Sequence, residues 1–135
     1  MFSLGNFSKA EAKNLNVINL AFIGDAVYSL FVRENILRKG ELKANDLNRL
    51  SQKIVCAEAQ SDLVKRLLPI MTEEEKDVFM RARNAKKGTR PKHALVSEYN
   101  NATGFEAVLG YLYLIGDSDR LNLLLSAEED NENRG

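Results

Sequence analysis

The amino-acid sequence predicts an all-α helical bundle, and three observations predict it. Apolar residues recur at three- and four-residue spacing along nearly the whole chain. No stretch sustains the every-second-residue alternation of a half-buried strand. Gly40, Pro69, Gly88, Pro91 and Gly116 fall between the periodic runs, where they end helices or shape loops. At 135 residues the chain has room for one domain. The expected organisation is a lead-in over 1–13, the domain over 14–127 and an acidic, disordered tail over 128–135.

The first long helix is expected from Asn14 to Lys39, closed by a left-handed cap at Gly40. It is apolar on nearly every side, which marks it as the central helix of the bundle. A second helical region spans Asn45 to Leu68, breaks near Val55 to Ala57 and stops at Pro69. Thr72 and Glu75 then read as a capping box for a helix running towards Asn84. The first half of the segment after Ala85 is an expected loop. Helix resumes from Ala102 to Ile115, and Ser118 is the expected cap of a last helix reaching Ala127.

Composition narrows the class. Hydrophobic residues make up 44% of the chain, with no apolar run of the roughly 18 residues that a spanning helix needs. The N-terminal residues turn polar within a few positions, unlike a secretory leader, so the expected location is the cytoplasm. The single cysteine, Cys56, reads as a small buried residue. Net charge is +0, yet it is strongly polarised along the chain. Six basic side chains (Arg81, Arg83, Lys86, Lys87, Arg90 and Lys92) run up to His93 with no acid among them. From Ala94 onward, eight acids face only Arg120 and Arg134.

Two carboxylates break the hydrophobic pattern. Asp25 shares its helix face with Ala21, Phe22, Tyr28 and Ser29; Glu106 shares its own with Ala102, Thr103, Leu109 and Gly110. An ionised carboxylate buried in such a face is costly without a compensating partner, and a core Arg, Lys or backbone amide would satisfy it. Small residues flank both positions: Gly24 on one side, Thr103, Gly104, Ala107 and Gly110 on the other. Such residues let two helices approach closely. If they cross there, the two acids repel unless a cation lies between them, and magnesium is commonly held by one or two carboxylates.

The segment LAFIGDAVYSLFVRE (Leu20–Glu34) resembles the ribonuclease III signature, and GFEAVLGYLYL (Gly104–Leu114) resembles the family's second acidic motif. With the basic stretch RNAKKGTRPK (Arg83–Lys92) and the short length, the chain is most similar to the family's minimal branch, Mini-ribonuclease III. The resemblance implies the helical ribonuclease III endonuclease fold, acting as a homodimer across whose valley the duplex lies. It implies magnesium-dependent cleavage of double-stranded RNA, chiefly the 23S ribosomal RNA precursor, leaving a 5′ phosphate and a short 3′ overhang. Asp25 and Glu106 match the family's catalytic, metal-holding Asp and distal Glu. Two further family acids are replaced here by Ala21 and Thr103, as in the minimal branch. That loss leaves an alternative open, a catalytically silent duplex-RNA-binding or ribosome-associated protein of the same fold. Arg83, Lys86, Lys87, Arg90 and Lys92 are the expected RNA contacts, since duplex RNA is read mostly by shape and charge. His93 reads as a surface or phosphate contact rather than a general base, and no role is assigned to Glu58 or Asp62.

Overall fold

Two long helices that cross at glycines organise the molecule. The structure, a computed structural model, describes residues 3–88 and 95–134, with side chains described through Ala127. Among the described residues there are seven α-helices, one 3-10 turn and no strand: α1 (Lys9–Lys13), α2 (Val17–Arg38), α3 (Ala44–Val55), α4 (Ala57–Leu67), the turn Leu68–Ile70, α5 (Glu73–Asn84), α6 (Val96–Ile115) and α7 (Ser118–Arg134).

Local chemistry explains most of the boundaries. Thr72 Oγ1 accepts from the Glu75 amide at 3.1 Å while the Glu75 carboxylate accepts from the Thr72 amide at 3.0 Å, the reciprocal box expected there. The same carboxylate also receives Arg120 Nε at 2.9 Å and Nη2 at 2.7 Å, which ties α5 to α7 through a buried ion pair. Gly116, at φ 76°, ends α6 in the left-handed conformation. Cys56 is extended and separates α3 from α4, where the break was expected.

Four expectations are revised. Residues 1–13 are not only a lead-in: Ser8 and Glu11 form a capping box that starts α1. Helix α6 begins at Val96, one and a half turns earlier than its apolar pattern indicated, because its first turns carry Glu98, Asn100 and Asn101 at the edge of the bundle. The first α7 amides are met by Asp117, whose Oδ1 accepts from the Arg120 amide at 3.2 Å, so Asp117 rather than Ser118 caps it. Helix α7 continues to Arg134 instead of ending at Ala127, since propagation is inexpensive once Leu121, Leu124 and Leu125 have anchored its start in the core.

The central helix is α6, not α2. Every residue from Ala102 to Leu112 except Glu106 is buried, and α6 packs on α1, α2, α4, α5 and α7. Helix α2 buries Leu20, Tyr28, Val32 and Ile36 but leaves Phe22, Leu30 and Leu37 exposed. An all-round apolar helix can be enclosed by its own chain or covered by another, and periodicity does not distinguish these.

Glycines set the α2–α6 crossing. A Cβ at Gly24 would overlap the carbonyl oxygen of Glu106 and lie 2.6 Å from its carbon. One at Gly110 would overlap the carbonyl oxygen of Leu20 and lie 2.9 Å from its carbon. Backbone therefore touches backbone on both sides of the crossing. Tyr28 and Phe105, with ring centroids 5.1 Å apart and planes at 86°, add an edge-to-face contact between the same helices.

Candidate active site

The crossing puts Asp25 beside Glu106. Gly24 meets the backbone of Glu106 itself, so the residue after it on α2 arrives at the Glu106 side chain. Asp25 lies close enough to act on the Glu106 carboxyl. Burial pushes the Glu106 carboxyl up to about 9, and the hydrogen bond and negative charge of Asp25 push in the same direction. The Gln60 side chain on α4 pulls the other way through a hydrogen bond that favours the carboxylate.

The burial is unequal, which corrects the expectation that both acids lie in apolar faces. Glu106 is half-buried between helices, whereas Asp25 is exposed. Its helix neighbours Ala21 and Tyr28 are buried, but Phe22 points outward, so Asp25 stands at the edge of the covered stripe. Among the described residues no Lys or Arg pairs with either acid, so no core cation satisfies them. Thr103 turns its hydroxyl to the Tyr99 carbonyl at 2.9 Å, and Ala21 is a buried methyl; neither offers a further acid.

Glu106 opens onto a cavity of about 550 Å³ between the α3–α4 break and the first turns of α6. Cys56, Glu58, Gln60, Glu98 and Tyr99 are among its walls. Cys56 is exposed rather than buried, because it occupies the extended break that neither helix covers. Glu58 faces the cavity, while Asp62 pairs with Lys65 at 3.6 Å on the surface. Gln60 is the residue that sequence reasoning missed. It shares one face of α4 with Leu63, Val64 and Leu67, so it breaks an apolar stripe just as Glu106 does.

The donor set fits a divalent cation. Two convergent carboxylates, one of them holding its proton, could give up that proton for the ion, with waters completing the coordination. Among the described residues no group of three or more His, Cys, Asp or Glu side chains could hold a metal ion.

The basic segment is split in use. Arg83 and Lys86 are exposed. Lys87 is not free for phosphate as expected: its ammonium donates to the carbonyls of Ala82 at 2.9 Å, Arg83 at 3.1 Å and Ala85 at 2.8 Å. All three donors are thus committed to the carboxyl end of α5, where a cation also meets the favourable end of the helix dipole. Arg90, Lys92 and His93 lie outside the described residues.

A pH dependence follows for the metal-free protein. Unfolded Glu106 releases its proton near the ordinary 4.5, whereas the folded protein holds it until about 9. The folded state binds the extra proton in that window, so this contribution to stability is full below about pH 4.5 and lost as pH rises through about 9. In chelator the protein should melt earlier at pH 8.5 than at pH 6, and Glu106→Gln should flatten that difference. A difference of equal size in the variant would refute the assignment to Glu106.

The Ribonuclease III domain model matches residues 18–117. The chain is 45% identical over 126 residues to a Mini-ribonuclease 3 of Symbiobacterium thermophilum, covering 93% of this chain and 97% of the relative. It is 47% identical over 118 residues to that of a Thermoanaerobacter species, covering 87% and 83%. A crystal structure of a Fusobacterium nucleatum protein superposes with a TM-score of 0.81 at 31% identity, covering 88% of this chain and 95% of that one. With the domain model matching most of the chain and these relatives covered over most of their length, the chain belongs to the ribonuclease III domain family, in its Mini-ribonuclease 3 group, and is an endoribonuclease.

Proposed function

We propose that this endoribonuclease hydrolyses both strands of duplex RNA with magnesium held by Asp25 and Glu106, as a homodimer, in cytoplasmic maturation of the 23S ribosomal RNA precursor. The observation that carries the reading is the convergence of two carboxyls beside an open cavity, with no Lys or Arg among the described residues paired to either. Magnesium bound there would activate water and neutralise charge on the scissile phosphate. Asp25, being exposed, presents its oxygens towards the incoming strand, and Glu106 anchors the site from within the helix packing. A protein that only holds RNA has no use for Glu106 at this burial, which disfavours the silent alternative. The test is a gel of long duplex RNA incubated with the protein in magnesium or in chelator. Ordered cleavage in magnesium alone is expected; intact duplex in both would reject the reading.

Exposed apolar surface on α2 supports the dimer. Phe22 is 81% exposed, and the same helix lines an apolar cavity of about 470 Å³ through Ile23, Ala26, Val27 and Leu30. Apolar surface of this kind on a soluble chain marks an interaction site. Phe22→Asp should halve the mass seen by light scattering at micromolar concentration from twice 15.2 kDa. A parent protein that is already monomeric would reject the shared valley.

RNA contact falls to Arg83 and Lys86 among the described residues, with Arg90 and Lys92 beyond them. Lys86→Gln should reduce the slope of log affinity against log salt by about 0.7–0.9, the effect of one phosphate contact. Lys87→Met should leave that slope unchanged and instead cost about 1–2 kcal/mol of stability through the lost helix-end hydrogen bonds. The reverse pattern would make Lys87 the phosphate ligand.

A further inference from the structure

Gln60 is 2% exposed and lies on the wall of the cavity that also holds Glu106. Its Nε2 donates to the Val55 carbonyl at 2.8 Å, across the α3–α4 break. Its Oε1 is buried with no hydrogen-bond partner, the one such side-chain atom among the described residues. Cores seldom leave a polar atom in that state, because the solvation lost on burial is not recovered. Packing does not require an amide there either, since the rest of this α4 face is leucine and valine. The neighbouring Ser61 is met by Asn101 Nδ2 at 3.1 Å, so α4 is held against α6 without help from Oε1.

We propose that Gln60 is a third oxygen donor to the metal site, on the wall of the cavity it shares with Glu106. The inference rests on the magnesium reading above. Two carboxylates leave positions of an octahedral ion open to a further oxygen, and Ala21 and Thr103 supply no acid there. An amide carbonyl is a hard oxygen that suits magnesium. Being neutral, it adds a ligand without adding a third negative charge beside two that already repel. Its other end is fixed on Val55, which presets the amide plane.

The test is manganese binding followed by electron paramagnetic resonance on the intact protein, with folding checked by thermal melting. The parent should bind manganese, and Asp25→Asn should lose that binding. Gln60→Leu should weaken it by about tenfold or more, and Gln60→Glu, which keeps an oxygen and adds charge, should tighten it. Weakening by both variants would mean that Gln60 serves only as a hydrogen-bond donor to Glu106, and unchanged binding in both would make it packing; either overturns the proposal. Should Gln60→Leu fail to fold, Gln60→Glu alone decides, with binding equal to or weaker than the parent's as the refuting result. A parent that takes up no manganese sinks the magnesium reading itself, which is a different failure from a parent that binds while the Gln60 variants match it.

Discussion

Asp25→Asn should lower cleavage of duplex RNA by at least about a hundredfold, the scale seen when one electrostatic stabiliser of a transition state is removed, while fold and RNA binding persist. The amide keeps the shape of the side chain, and Asp25 is exposed, so no packing is disturbed. No Lys or Arg among the described residues pairs with Asp25, so no cation is stranded. What changes is the charge beside Glu106, whose carboxyl is now held up by burial and by Asp25 together. Removing the second cause relaxes a strained pair, so melting in chelator should hold or rise. The RNA contacts proposed for Arg83 and Lys86 lie outside the carboxyl pair, so binding should survive. The decisive comparison is cleavage in magnesium and melting in chelator on one preparation. A folded variant that cuts at the parent rate would remove Asp25 from the chemistry.

Gly24→Ala should destabilise the protein by at least about 2 kcal/mol, a fall in Tm on the order of 5–10 °C. Helix propensity alone predicts the opposite, since alanine is favoured over glycine by about 1 kcal/mol in a helix interior. Packing wins because the added methyl would overlap a backbone carbonyl, that of Glu106, which cannot rotate away as a side-chain tip could. Relief requires α2 and α6 to separate, and that displaces Glu106 and Asp25 from each other. Activity should therefore fall further than stability accounts for. Gly110→Ala acts on the same crossing from the other helix, so the double variant should lose less than the sum of the two. Gly88→Ala is the control: nothing lies within 4 Å of its Cβ position, and stability should be unchanged or slightly raised. A Gly24→Ala protein as stable and active as the parent would show that the helices can part without consequence, and the carboxyl pair would no longer depend on the crossing.

The sequence by itself determined the features that are settled within a few residues of chain. The Thr72–Glu75 box, the break at Cys56 and the left-handed end at Gly116 each depend on atoms three to five positions apart. They could be read without knowing what packs on them. The two acids were legible for a related reason: a charge in an apolar stripe is a local contradiction, whatever resolves it. Family likeness added the pairing of Asp25 with Glu106, which spacing along one helix could not supply. The Ser8–Glu11 box and Gln60 were equally local signals and were passed over, the first because the helix it opens is only five residues long, the second because a glutamine contradicts an apolar stripe less sharply than a charge does.

Tertiary structure decided what depends on where a neighbour arrives. Asp25 and Glu106 sit in similar stripes, yet one is exposed and the other half-buried, because α6 is surrounded by five helices and α2 has one face uncovered. Lys87 looks like its basic neighbours in sequence, but the end of α5 places three carbonyls within reach of its ammonium and claims it for the fold. Gln60 acquires its meaning only when α4 docks on α6 and encloses one amide oxygen with nothing to receive. Side-chain periodicity reports which residues could share a face. Burial, and with it the proton on Glu106, is a property of the surfaces that close over that face, and those come from segments dozens of residues away.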